Sequence, residues 1–196
     1  MKKEEATLKT TSLLIKIARR HFTDYGYFDV SLERIAEEGN VTRGAVYHHF
    51  KSKKGLFTAV LENVQKDVAE YVLKEAMKSD DSWQQLILGS VGFVKGANIK
   101  ENRRILLVDA PAVLGWETWR KFDKENSMSV LHDHIVDLKE EGYLHDDVDT
   151  ELMTYSISGA TNELALNYSQ QEKTRCDDLI AGTISDLVYG FKKKPI

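Results

Sequence analysis

Between Ser31 and Lys54 the chain gathers side chains suited to one kind of chemistry. Ser31 and Thr42 supply short hydroxyls, Arg43 a guanidinium, Tyr47 a phenol, His48 an imidazole, and Lys53 and Lys54 two ammonium groups. An arginine presents paired N–H donors that match O6 and N7 of guanine. Lysine, tyrosine and histidine can hold phosphate oxygens. Phosphate contacts position a protein on a duplex, and base contacts specify the sequence. Gly44 and Ala45 are small, so a helix carrying them can sit deep in a groove.

The elements around these residues must present them together. The run Ser31 to Phe50 reads as helix, tight turn, helix. Ser31 can cap the first helix, with Glu33 in its first turn near the positive dipole end. Leu32, Ile35 and Ala36 form its buried face. The turn is Gly39-Asn40-Val41. It needs a residue tolerant of positive φ, and Asn is the best choice after glycine. Gly39 leaves room for close helix approach, and Val41 plugs the space between the helices. Thr42 begins the second helix, whose open N–H groups suit a phosphate oxygen. In a helix-turn-helix the first residues of that helix face base edges in the major groove. Val46 and Phe50 point inward, and His49 reads as a packed histidine.

Helical spacing continues on both sides. Leu13, Leu14, Ile17, Ala18 and Phe22 make one stripe, ending at Tyr25-Gly26. Ser52 can cap a long helix reaching Ala76. After a polar break at 77–82, apolar positions recur from Trp83 to Val94, and again from Arg103 to Trp119, where Pro111 should end or kink a helix. Further helices are expected near Leu131–Leu138, Leu152–Tyr168 and Asp177–Phe191. No strand alternation or internal repeat is visible, so the expected class is all-α.

The composition narrows the function classes. The chain has 196 residues, 42% hydrophobic and 30% charged, with 1 Cys, which excludes an intrachain disulfide and a multi-cysteine zinc site. No apolar run reaches the ~20 residues of a membrane span, and the start MKKEEATLKTT lacks a signal peptide's apolar region. A cytoplasmic location and no membrane partner are expected. Residues 1–57 carry 11 basic and 7 acidic side chains, and the remainder 16 and 24, so a head of +4 joins a body of −8. Such a division lets one end approach phosphate. No nucleophile elbow, phosphate loop or zinc motif is present, so no enzyme and no cofactor are expected.

In the body, Phe93, Asp109, Trp116, Trp119 and Tyr155 are candidates to line a ligand pocket, with core packing as the competing reading. Asp109 in an apolar run can meet a ligand cation, a helix end or Arg103/Arg104. His132-Asp133-His134 does not read as a metal site, because residues two apart on a helix do not share a face. His145 with Asp146, Asp147 and Asp149 reads as a polar turn. Cys176 lacks a resolving partner for redox sensing.

The landmarks Ala18…Phe22…Tyr25-Gly26, Ser31-Leu32-Glu33-Arg34-Ile35-Ala36 and Val41-Thr42-Arg43-Gly44-Ala45-Val46-Tyr47-His48-His49-Phe50-Lys51-Ser52-Lys53 resemble the DNA-binding domain of the tetracycline-repressor (TetR) family. The resemblance runs from Leu13 to Leu61. Two departures stand out: Gly39-Asn40 reverses the family's small-residue-then-glycine order, and Lys54-Gly55 replaces its acids. The resemblance implies a three-helix head at 1–57 with its motif at 31–50, and a linking helix at 52–76. It also implies a ligand-binding and dimerisation body at 58–196. It further implies a homodimer through the helices near 152–168 and 177–191, a double-stranded DNA operator, and an unknown small-molecule effector. The expected function is a sequence-specific transcriptional regulator, a repressor released from a palindromic operator by its ligand. The DNA-contacting set is Ser31, Thr42, Arg43, Gly44, Ala45, Tyr47, His48, Lys53 and Lys54. Two alternatives remain: a ligand-independent or activating protein of the same fold, and a helical interaction module without DNA binding.

Overall fold

A computed structural model of the chain describes residues 2–167 and 176–193. Among them the structure is helical, without a strand, and Leu144 and Lys192 form an isolated antiparallel bridge. The helices are α1 (Lys2–Tyr25), α2 (Leu32–Glu38), α3 (Arg43–Phe50), α4 (Lys53–Ala76), α5 (Ser82–Asn98), α6 (Lys100–Arg103), α7 (Ala110–Leu114), α8 (Trp116–Asp123), α9 (Ser129–Glu140), α10 (Thr150–Asn167) and α11 (Cys176–Tyr189). Two π-helical turns, Arg104–Asp109 and Lys124–Met128, interrupt the series. No helix among the described residues is long and apolar enough to cross a membrane. The redox reading of Cys176 concerns a side chain outside the described ones.

The described residues pack as two units. One comprises 2–65 and 100–119, the other 66–99 with 120–167 and 176–193. The head expected from the sequence ends at residue 57, whereas the first packed unit runs on to residue 65. Packing instead assigns the segment 100–119 to the unit that holds the motif.

In the first unit the stripe on α1 is buried as its spacing requires, with Leu14, Ala18 and Phe22 fully shielded. Phe57 from α4 meets the Phe22 ring edge-on at 5.4 Å and the Tyr27 ring at 5.2 Å. Such edge-to-face pairs add to simple area burial. Gly26 ends α1 at φ +81°. The segment from α6 to α7 is tied to α1 by polar contacts. Arg19 donates to Asn63 Oδ1 (2.9 Å) and Asn102 Oδ1 (2.6 Å). Arg104 donates to the Thr23 carbonyl (3.2 Å). Pro111 lies inside a helical run that continues from Lys100 to Leu114, and the run departs from α-geometry just before it, in the π-helical turn Arg104–Asp109, the irregularity expected where a proline removes a backbone donor.

In the second unit α5 is the central rod, with α9, α10 and α11 packed on it. Asp81 caps its start by accepting from Gln84 N–H (2.7 Å). Asn98 near its end donates to the Ala165 carbonyl on α10 (2.7 Å). The end of α4 lies so close to α5 that only glycine fits at the crossing. A Cβ on Gly92 would stand 2.5 Å from the Tyr71 carbonyl oxygen and 2.9 Å from Val72 Cα, both backbone atoms. Gly92→Ala is therefore expected to force the two helices apart at a cost of ~1–3 kcal/mol. A lowered thermal midpoint checks this, and an unchanged midpoint would contradict the close approach. The loop at 145–149 is the polar turn its composition suggests, and Asp149 accepts from Leu152 N–H (2.9 Å) to start α10.

Candidate nucleic-acid interface

Two caps and one turn build the exposed edge of the first unit. Ser31 Oγ accepts from Arg34 N–H (3.3 Å) and starts α2. Thr42 Oγ1 accepts from Ala45 N–H (3.1 Å) and starts α3. Between them Asn40 takes φ +51°, the left-handed conformation the turn requires, so reversing the usual order with Gly39 leaves the turn intact. Gly39 itself is right-handed, and its value is space: a Cβ there would lie 2.9 Å from Leu14 Cδ2. Lys51 closes α3 at φ +66°, a second left-handed residue and one that carries a Cβ. The Lys51 N–H donates to the Tyr47 carbonyl (2.8 Å).

On α3 the division of faces is clear. Val46 and Phe50 are buried in the unit, His49 is half-buried, and Thr42, Arg43, Gly44, Tyr47 and His48 are exposed. Tyr47 keeps 61% of its surface open. Ala45 is half-buried against the cap. The structure thus brings Thr42, Arg43, Gly44, Tyr47 and His48 onto one surface with Ser31 at its edge.

The two lysines that follow differ. Lys54 is exposed. Lys53 is half-buried: its ammonium sits 4.5 Å from the centre of the Tyr27 ring and donates to the Phe28 carbonyl (3.2 Å). Burial lowers its pKa, while Asp29 pushes the other way. Lys53 therefore binds the α1–α2 loop to the start of α4. One of its three donors goes to the Phe28 carbonyl, and part of its charge faces the Tyr27 ring. Sequence spacing did not reveal this, because Tyr27 and Lys53 meet only once α1 and α4 are packed. The same holds for Glu33, which forms an ion pair with Arg43 at 3.0 Å, Oε1 to Nε.

The candidate pocket residues do not assemble into one site within either unit. Asp109, Trp116 and Trp119 belong to the first unit, and Phe93 and Tyr155 to the second. Asp109 is buried and accepts from Tyr27 N–H (3.0 Å), with Arg104 at 3.8 Å. Burial raises its pKa, and the Tyr27 N–H and Arg104 pull it back. It meets Arg104, as its position allowed, and the loop just past the end of α1. Trp116 is exposed and Trp119 buried, their rings 5.0 Å apart. Phe93 is half-buried on α5. Tyr155 lines a cleft of about 290 Å³ with Met128, His132, Thr154 and the Lys124–Glu151 pair. The histidines of α9 go to separate partners, His132 facing Thr150 Oγ1 (3.4 Å) and His134 the Ser82 carbonyl (3.0 Å).

Comparison with known proteins gives the family of the chain. Residues 14–60 match the model of the bacterial regulatory proteins of the tetR family. Residues 83–190 match that of the tetracyclin repressor-like C-terminal domain. The HTH-type transcriptional regulator AcrR of Shigella flexneri is 32% identical over 107 residues, 55% of this chain and 49% of that one. The chain spans about half the length, or less, of the first three curated relatives it matches. A TetR-family transcriptional regulator from Pectobacterium atrosepticum superposes with a TM-score of 0.74 at 26% identity, covering 98% of both chains. The fatty acid degradation regulator FadR of Bacillus halodurans shares the fold alone, with a TM-score of 0.75 at 16% identity over 91% of this chain and 93% of its own. With its helix-turn-helix segment and its C-terminal body both matched, the chain belongs to the TetR family of transcriptional regulators, which are not enzymes.

Proposed function

We propose that this protein is a sequence-specific DNA-binding repressor that acts as a homodimer and leaves a palindromic operator when a small molecule binds its body. The observation that carries the reading is the exposed face of α3. A capped helix start offers open N–H groups, followed by Arg43, two small residues and an exposed Tyr47. Arg43 reads a guanine through O6 and N7. Gly44 and Ala45 let the helix enter the major groove. Tyr47, His48, Lys53 and Lys54 hold phosphates, with Ser31 and Thr42 at the helix starts.

Dimerisation has support in the second unit. On α10, Leu152, Ser156, Gly159 and Glu163 are exposed at helical spacing. On α11, Leu179, Gly182, Thr183, Asp186, Leu187 and Tyr189 are exposed. A Cβ on Gly159 or Gly182 would meet nothing within 4 Å, so both faces accept close approach from another helix. Two copies then present two α3 helices to successive major grooves, which requires a near-palindromic site. An effector acts through its differential affinity for two spacings of those helices.

The test is selection of bound fragments from sheared genomic DNA by the purified protein, with Tyr47→Ala in parallel. Enrichment of one short palindrome by the wild type, and its loss in Tyr47→Ala, is the expected result. Equal enrichment by both would remove α3 from the interface.

A further inference from the structure

Glu33 stands at the edge of the surface just described, and a carboxylate there is out of place. It repels phosphate, and its neighbours are the groups proposed to hold DNA. Its position in the first turn of α2 explains part of its presence, since an acid there favours the helix dipole. That does not explain its partner. Glu33 Oε1 lies 3.0 Å from Arg43 Nε, across the turn that joins α2 to α3, and both side chains are at least half exposed. The carboxyl is held below its usual range by its own backbone N–H, against some desolvation, with help from Arg43 and Ser31. It is therefore charged at neutral pH.

We propose that Glu33 is a specificity-determining positioning residue: by pairing with Nε it commits the Arg43 guanidinium to reading guanine through its terminal edge. The inference rests on the DNA-binding reading of α3. A guanidinium can present two forks, one made by Nε and one Nη, the other by the two Nη groups. Glu33 stands on the Nε side as an ion pair. The Nη pair remains for O6 and N7 of guanine. A long side chain that is already oriented loses less rotamer freedom on binding. The same carboxylate lowers affinity for every sequence, because it faces the phosphates whatever the bases are. Glu33 thus sharpens discrimination and weakens non-specific binding at once, through one interaction. A residue that merely caps α2 would do neither selectively.

The experiment is selection from a randomised duplex library at fixed salt, using the full chain as wild type, Glu33→Gln, Glu33→Asp, Arg43→Ala and the double variant Glu33→Gln/Arg43→Ala. Thermal melting of each variant accompanies it. Glu33→Gln keeps the size and the helix but loses the charge. Its guanine preference at the Arg43 position is expected to fall about 2- to 5-fold, the range of an exposed ion pair, while its affinity for random DNA rises. Glu33→Asp should recover part of the preference. In the Arg43→Ala background, Glu33→Gln should change the base preference no further. Equal guanine preference in wild type and Glu33→Gln, with Arg43→Ala impaired, would overturn this inference and leave the DNA-binding reading standing. A uniform change at all positions that follows melting temperature would also overturn it, as a structural effect. Absence of any enriched sequence with wild type would overturn both.

Discussion

Phe57→Ala is expected to destabilise the first unit by ~3–5 kcal/mol, the cost of removing a buried phenyl ring and leaving a cavity. Phe57 is fully buried, and its ring contacts Phe22 and Tyr27 edge-on. The surroundings have little means of collapse, because the rings flanking it belong to α1 and the α1–α2 loop. Domains of ordinary size are stable by only ~5–15 kcal/mol, so this single change removes a large share. The effect reaches the interface. Tyr27 is the platform for Lys53, and its N–H is held by Asp109. Loosening Tyr27 releases Lys53 and the loop before Ser31. Thermal melting should show a loss of several degrees or more, and operator binding should fall with it. A midpoint within a degree of wild type would mean that Phe57 is not the keystone described.

Arg43→Ala is expected to remove the preference for guanine at one position of each half-site, costing ~1–3 kcal/mol of discrimination there. Lys54→Ala, by contrast, should weaken binding to all sequences alike and lower the salt slope by about one. The contrast arises from what each group touches. Arg43 occupies the first turn of α3, where a recognition helix meets base edges. Lys54 is exposed at the start of α4, where the proposal assigns it to a phosphate. Competition titrations with operator and scrambled duplexes at two salt concentrations separate the two effects. Equal losses on operator and scrambled DNA for both variants would show that the roles are wrongly assigned.

Much of this was legible in the residue order, and the reasons are local. Thr42 and Ser31 precede apolar-periodic runs, and each caps a helix. Asn40 had to be left-handed because the turn needs positive φ and no glycine stands at that place. The stripe from Leu14 to Phe22 is buried because 3.6-residue spacing puts it on one face. Features that depend on distant residues were not legible. Asp109 and Tyr27 lie far apart in the chain, and nothing near Asp109 marks its partner. Lys53 reads as a simple surface cation in the sequence, because Tyr27 comes to lie beneath it only in the fold. Glu33 read as a dipole acid, because its pairing with Arg43 depends on the angle between α2 and α3. The π-helical turn before Pro111 has the same apolar spacing as an α-helix over so short a run. The packing of 100–119 with the first unit follows from contacts with α1 that no composition shift announces.

The central claim is that two copies of α3 read two half-sites. Its most direct test is an equilibrium titration of the enriched palindrome and of a duplex with one half-site scrambled, at one salt concentration, with the mass of each complex determined. The account predicts two protomers on the intact palindrome. It predicts binding at least ~10³-fold tighter than to unrelated sequence, with most of that advantage lost when one half is scrambled. Equal affinity for intact and scrambled duplexes, or one protomer on the intact palindrome, would contradict it.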